Sequence, residues 1–159
     1  MIYVDYASTT PTSEDVLKSY NQLLNRYYAN SESLHSLGVE VYQTMEKSRQ
    51  QTASLLKVKP NEVIFTSGAS EANSMAIKGI CSKYQNRGKH IITTDFEHSS
   101  IYGPVGYLQK LGFDVDFVKT LDDGKVDLEH LKSLIRDDTI LVSITAVNSE
   151  IGIIEPIEE

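Results

Sequence analysis

The sequence predicts an α/β fold with a mainly parallel sheet covered by helices. Short β-rich runs alternate with amphipathic helical runs from about residue 62 to residue 147. Strand–helix–strand spacing of this kind favours right-handed crossovers, which make the strands parallel and place the helices on the faces of the sheet. Hydrophobic residues at 40% and charged residues at 23% are typical of a folded globular protein.

Two amphipathic helices are predicted to precede the sheet. The first follows a start signal at residues 11–13, and its apolar residues recur at three- and four-residue spacing, namely Val16, Leu17, Tyr20, Leu23, Leu24 and Tyr27. The second is predicted from about Leu34 to Leu56 and should end before Pro60, because the residue before a proline disfavours helical backbone angles. Its predicted inner face consists of Leu37, Val41, Met45, Leu55 and Leu56.

Strands and helices are then predicted to alternate. β-rich runs place four strands at residues 62–66, 90–94, 114–119 and 139–147. The first intervening helix should end near Gln85, the next contains Ile101 and Leu108, and the last begins at Asp127. A parallel sheet that stops after four strands leaves an exposed edge and an under-covered face. The sequence therefore predicts a truncated domain that self-associates.

Composition excludes several functional classes. The formal net charge of -7 and the lack of a Lys/Arg cluster argue against binding to nucleic acid or to an anionic membrane surface. No apolar run approaches the length of a membrane span, and the first residues do not resemble a signal peptide. The single cysteine, Cys81, excludes an internal disulfide, and we expect it to be packed in a cytoplasmic protein.

Polar segments follow three of the predicted strands at the edge where open parallel sheets bind ligands. After the first strand, residues 66–71 are small and lead into a helix, which suits an anion. The alternative is that Ser70 is a helix N-cap and that Glu71 favours the positive helix end. Residues 147–152, after the fourth strand, contain Asn148, which could hold a cofactor oxygen or could simply form a turn.

The segment after the second strand contains His98, which could stack on a flat ring, transfer a proton or bind a metal. The alternative is a loop histidine or a helix cap. No other His or Cys lies at ligand spacing from it, so no metal site is predicted. Three such segments at one edge of a sheet predict a binding pocket.

These segments resemble the NifS/IscS-like cysteine desulfurases, members of the class V aminotransferase branch of fold-type I pyridoxal-phosphate (PLP) enzymes. The resemblance follows the family's order and spacing across essentially the whole chain. It rests on residues 3–11, 33–38, 65–71, 88–93, 97–98, 137–143 and 147–152. It implies that residues 13–159 are the incomplete large, PLP-binding domain and that residues 1–12 are a small-domain or entrance segment.

The resemblance also implies roles for individual residues. Ala69 and Ser70 would bind the PLP phosphate, with Ser70 standing where the family usually has threonine. His98 would stack on the pyridine ring and assist proton transfer, and Asn148 would bond near the cofactor's phenolic oxygen. The substrate-binding residues would be Ala7, Ser8, Thr9 and Asn30, although the family's usual Asn-Pro is Asn-Ser here.

The implied activity is the conversion of L-cysteine to L-alanine, leaving a persulfide whose sulfur passes to an iron–sulfur scaffold or a tRNA-thiolation protein. The implied assembly is a homodimer. The family's Schiff-base lysine and persulfide cysteine would lie beyond residue 159, so the chain alone is predicted to be inactive. Two alternatives remain open. One is a truncated, non-catalytic remnant or binding piece, and the other is a different class V PLP enzyme such as a selenocysteine lyase.

Overall fold

The structure, a computed structural model, describes residues 2–159 and divides the chain into two units that meet in sequence at Phe65 and Thr66. The first unit contains two helices and a 3-10 turn, namely α1 (Glu14–Arg26), α2 (Ser36–Leu56) and Pro60–Glu62. The second contains α3 (Ala69–Tyr84), β1 (His90–Thr94), α4 (Ser99–Lys110), β2 (Asp114–Val118), α5 (Leu128–Leu134) and β3 (Thr139–Val142).

The sheet of the second unit has the strand order β2-β1-β3, and both pairings are parallel. Ile91 pairs with Val115 on one side and with Leu141 on the other. Every residue of β1 is buried, because the central strand of a parallel sheet is covered on both faces. The predicted α/β class is confirmed, and the bounds of β1 are those predicted.

Successive residues of β1 face opposite layers of the core. Ile91 packs with residues of α3 and α4, whereas Ile92 packs on the other face with Val118, Val126 and apolar residues of α5. The first layer consists of Ile77, Cys81, Ile91, Ile101, Val105, Leu108 and Phe113. Cys81 is buried as predicted, and burial raises the pKa of its thiol, which keeps it in the unreactive protonated form.

The strand predicted at residues 62–66 is wrong. Pro60–Glu62 form a 3-10 turn, and residues 63–66 have no strand partner among the described residues. The carbonyl of Val63 instead accepts a hydrogen bond from the Arg49 guanidinium. β-Branched and aromatic residues favour a strand only where a neighbouring strand can pair with them.

The strand predicted at residues 139–147 is shorter than expected. Its pairing with β1 ends where Ser143 N donates to Ile92 O at 2.9 Å. Beyond that point, Thr145 N bonds a side chain and Val147 forms an antiparallel bridge with Ile154. The backbone groups that a longer strand would need are therefore used by the loop.

The second helix ends before Pro60 as predicted, with Lys57 in the left-handed conformation at φ 56°. Its predicted inner face is only partly correct. Val41 is buried, but Leu55 is 84% exposed. Met45 and Leu56 are exposed as well, so periodicity identified the apolar face only at the start of this helix. Among residues 2–159, no helix combines the length and the apolar character that a bilayer crossing requires.

Helix α5 depends on its N-cap, which gives a simple stability prediction. Asp127 Oδ1 accepts a hydrogen bond from His130 N at 3.0 Å, and the helix has only seven residues. We expect Asp127→Ala to lower the free energy of unfolding by about 1 kcal/mol, measured by urea denaturation. The control is Asp122→Ala, which removes an exposed carboxylate that makes no hydrogen bond within residues 2–159. Equal effects of the two substitutions would contradict a specific capping role.

Candidate functional site

A cleft of about 270 Å³ opens beyond the carboxyl ends of β1 and β3. Residues 95–98, which follow β1, and residues 145–151, which follow β3, form most of its wall. Tyr102 of α4 completes the lining. The volume is close to the lower end of the range for small-molecule sites, and the position is the one where parallel sheets bind ligands.

Glu97 joins the two sides of the cleft. Its Oε1 accepts a hydrogen bond from Thr145 N at 2.6 Å and one from the Thr94 hydroxyl at 3.3 Å. Burial raises the pKa of the Glu97 carboxyl, and these two hydrogen bonds oppose that effect. The negative charge of Glu155 raises the pKa further. A buried carboxylate thus fixes the segment after β1 against the segment after β3.

Asn148 makes a second connection across the cleft. Its Nδ2 donates to Phe96 O at 3.2 Å, and its Oδ1 accepts from Glu150 N at 2.9 Å and Ile151 N at 3.1 Å. These contacts fix which end of the amide is the donor. They also confirm the turn role considered above. One hydrogen of Nδ2 remains for a ligand, so Asn148 can offer the cleft a donor for an oxygen atom.

His98 lines the cleft and caps α4. Its Nδ1 accepts from Ser100 N at 3.1 Å and lies 2.9 Å from the Ser100 hydroxyl oxygen. The helix-cap role considered above is therefore present. Since His98 and Asn148 line the same cleft, the structure brings together two of the predicted cofactor residues, and their capping and turn roles hold them in place.

Ala69 and Ser70 are the first two residues of α3. The N-cap is Gly68, so Ser70 is not the N-cap considered above. N–H groups in the first turn of a helix have no helical partners and suit an anion. A side chain added at Gly68 would meet no atom within 4 Å, so a ligand could approach this backbone closely.

Glu71 lies in the first turn of α3, as the alternative above expects. Its carboxylate turns back and accepts hydrogen bonds from Ser67 N at 2.7 Å and the Ser67 hydroxyl at 2.6 Å. Both bonds lower the pKa of Glu71. The loop before α3 is therefore held by a carboxylate whose oxygen is already engaged.

Asn73 connects α3 to the histidine of the cleft. Its Nδ2 donates to the Ser100 hydroxyl at 2.9 Å, and that hydroxyl is the group beside His98. Asn73 and Ser100 were not predicted as site residues. The bridging role of Glu97 was not predicted either. Their functions depend on contacts between residues far apart in sequence, which give no periodic signal.

The predicted substrate residues lie in the first unit, where the structure describes local contacts only. Ser8 N donates to Asp5 O at 3.2 Å within the turn that also contains Ala7 and Thr9. Asn30 Oδ1 accepts from Glu32 N at 2.9 Å. The roles of these four residues in substrate binding stay predictions.

Comparisons with known proteins give a consistent result. The family model described as "Aminotransferase class-V" matches residues 2–159. Cysteine desulfurase IscS of Dictyoglomus turgidum is 42% identical over 158 residues, which cover 99% of this chain and 40% of that protein. Cysteine desulfurase IscS 1 of Archaeoglobus fulgidus is 40% identical, over 100% of this chain and 42% of that protein. The chain therefore spans about two fifths of the length of these relatives.

Solved structures give the same result for the fold. A structure titled "NIFS-LIKE PROTEIN" superposes with a TM-score of 0.91 at 38% identity, over 96% of this chain and 42% of that chain. A second, titled "SspA in complex with cysteine", superposes with a TM-score of 0.89 at 34% identity, over 98% of this chain and 45% of that chain. At 38% and 34% identity over nearly the whole of this chain, the similarity to these two structures is one of sequence as well as of fold.

Proposed function

Because the chain belongs to the class V aminotransferase family, we propose that it forms the amino-terminal part of a PLP-dependent cysteine desulfurase. The observation that carries the proposal is the cleft beyond the parallel strands, which both His98 and Asn148 line. Residues 13–159 would contribute to the large, cofactor-binding domain, and residues 1–12 to the small domain or entrance. The protein is proposed to be cytoplasmic and homodimeric, as the family resemblance implies.

Residues of the cleft and of the start of α3 fit PLP chemically, although Gly68, Ala69 and Ser70 do not line the cleft itself and one of the three predicted segments is thus outside it. The imidazole of His98 is flat and exposed, so it can stack on a pyridine ring. Asn148 keeps one amide hydrogen for the phenolic oxygen. The open backbone at Gly68 and the helix start at Ala69 and Ser70 suit the phosphate. When bound, PLP supplies the electron sink that bond cleavage in an amino acid requires.

The charge of the cleft supports this division of roles. Asp95, Glu97 and Glu150 line it, and none of its lining residues is a lysine or arginine. A phosphate would therefore gain little from the cleft wall itself. The first-turn N–H groups of α3, which lie outside this wall, are instead proposed to bind the phosphate.

We propose L-cysteine as the substrate, with alanine and a persulfide as products. The relatives are named as cysteine desulfurases, and one similar structure is described as a complex with cysteine. Ala7, Ser8, Thr9 and Asn30 are proposed to contact the substrate. An iron–sulfur scaffold or a tRNA-thiolation protein is proposed to accept the sulfur.

Two measurements test the proposal, and the first concerns the cofactor. PLP titrated into the purified chain is expected to bind saturably, with a change in its absorbance. His98→Ala is expected to weaken binding about tenfold through the loss of ring stacking. His130→Ala is the matched control, because His130 lies outside the cleft and its Nδ1 accepts from Lys119 N. Equal weakening by both substitutions, or no binding at all, would contradict the assignment of the cleft.

The second measurement concerns the reaction. The product of the complete reading frame, given PLP, L-cysteine and a thiol reductant, is expected to form alanine and sulfide in equal amounts. Residues 1–159 alone are expected to form neither, because no lysine among them lies in the family's Schiff-base context. Alanine formed from L-selenocysteine but not from L-cysteine would overturn the desulfurase proposal in favour of a selenocysteine lyase.

A further inference from the structure

Two groups of Ser100 lie within hydrogen-bond distance of one nitrogen of His98. Nδ1 lies 3.1 Å from Ser100 N and 2.9 Å from Ser100 Oγ. The same hydroxyl oxygen lies 2.9 Å from Asn73 Nδ2. The three side chains therefore form a continuous chain from α3 to the cleft, in the order Asn73, Ser100, His98.

The backbone N–H of Ser100 determines which ring nitrogen of His98 carries the proton. The N–H of Ser100 can only donate, so Nδ1 of His98 must present its lone pair and cannot carry a proton in this geometry. In neutral imidazole the proton then lies on Nε2. The Ser100 hydroxyl can strengthen this state by donating to Nδ1 while its oxygen accepts from another donor.

Asn73 supplies that donor. Its amide nitrogen faces the hydroxyl oxygen, so the hydroxyl hydrogen is free to point to Nδ1. A carboxylate in place of the amide would reverse the direction, because it would accept the hydroxyl hydrogen and leave an oxygen facing Nδ1. Asn73 as a donor therefore favours the same proton arrangement that the Ser100 N–H imposes on Nδ1.

We propose that Asn73 and Ser100 are positioning residues that hold the imidazole of His98 as its Nε2–H tautomer. The ring then meets a ligand in the cleft as a hydrogen-bond donor, and the ligand atom that faces it is an acceptor such as a carboxylate or phenolate oxygen. Nε2 makes no hydrogen bond within residues 2–159, so it is available for this role. The assignment of the tautomer is independent of the proposed function. The choice of ligand, in contrast, rests on the proposed function.

Two-bond ¹H–¹⁵N correlation spectra of the labelled chain test the tautomer directly. At about pH 8.5, where free histidine is neutral, His98 is expected to show an unprotonated Nδ1 and a protonated Nε2. Ser100→Ala and Asn73→Asp are expected to move the two nitrogen shifts closer together, because each weakens the donation to Nδ1. Ser100→Thr keeps the hydroxyl and is expected to retain the wild-type shifts.

The same spectra contain internal controls. Nδ1 of His35 accepts from Gly38 N and Nδ1 of His130 accepts from Lys119 N, and neither contact involves Asn73 or Ser100. Their signals should stay in place in every variant. A proton on Nδ1 of His98 in the wild-type chain would overturn the proposal, as would nitrogen shifts that neither Ser100→Ala nor Asn73→Asp changes.

PLP titration separates this inference from the proposed function. Ser100→Ala and Asn73→Asp are expected to weaken PLP binding between about two- and tenfold, the range for the loss of one hydrogen bond, while Ser100→Thr leaves it unchanged. A changed tautomer with unchanged PLP affinity would overturn the role of Nε2 in ligand binding. Absence of PLP binding by the wild-type chain would count against the proposed function and leave the tautomer result standing.

Discussion

Replacing Glu97 with alanine is expected to lower the free energy of unfolding by roughly 3 kcal/mol. Glu97 is 8% exposed, and its carboxylate accepts hydrogen bonds from Thr145 N and from the Thr94 hydroxyl. Alanine would leave both donors without a partner in a largely buried place. Because the same carboxylate joins the segments after β1 and β3, we expect the cleft to lose PLP affinity together with stability.

Glu97→Gln is the matched variant for this substitution. Glutamine keeps an acceptor oxygen at the same position, so we expect it to retain most of the stability that alanine loses. Urea denaturation of the wild-type chain and the two variants measures the effect. Equal stability of the alanine variant and the wild-type chain would contradict the bridging role of Glu97.

The dependence of stability on pH distinguishes the carboxyl group of the wild-type chain from the amide of the Glu97→Gln variant. Burial raises the pKa of Glu97, so the folded chain holds this proton more tightly than the unfolded chain does. The stabilisation from the protonated group is therefore complete below the ordinary value of about 4.5 and is lost as the pH rises through the raised pKa. Relative to Glu97→Gln, the wild-type chain is expected to lose stability as the pH rises from 4.5. Parallel pH profiles of the two proteins would contradict this expectation.

Gly88→Ala is expected to lower the free energy of unfolding by about 2–3 kcal/mol. A β-carbon at Gly88 would lie 2.6 Å from both Asp138 C and Asp138 Cα, and closer still to the carbonyl oxygen. These are backbone atoms, and Asp138 O also accepts from His90 N at 3.2 Å at the start of β1. Relief of the contact would therefore pull the segment before β3 away from the central strand.

Gly79→Ala is the control for Gly88→Ala. Gly79 lies within α3, and a β-carbon there would meet no atom within 4 Å. Alanine at this position is expected to stabilise the protein by about 0.5–1 kcal/mol, because glycine is a poor residue for a helix interior. Urea denaturation compares the two variants with the wild-type chain. Destabilisation of similar size in both would show that the contact with Asp138 is not the cause.

The elements that the sequence predicts well are those set by local patterns. β1 was predicted with its observed bounds, since a run of buried β-branched residues is sufficient to indicate a central strand. The run at residues 62–66 has a similar composition but forms no strand, because strand formation also requires a partner. Pairing is a property of the whole fold, and composition does not report it.

The candidate site, like the fold, was predicted correctly only where local sequence patterns determine it. The positions of His98 and Asn148 after parallel strands predicted a shared pocket, and they line one cleft. The groups that orient them were not predicted. Glu97 contacts Thr145, and Asn73 contacts Ser100, across long stretches of sequence. Single-sequence patterns describe neighbours along the chain and carry little information about such pairs.

The central position of β1 has a consequence for the order of folding. Its pairing with β2 closes a short loop through α4, whereas its pairing with β3 closes a loop roughly twice as long, which costs more chain entropy. We therefore expect the β1–α4–β2 unit to form before β3 docks on it. Thr145 and Asn148 follow β3, so we expect the two bonds that close the cleft to form after β3 has docked. The nascent chain would thus acquire a stable core before it acquires a binding site.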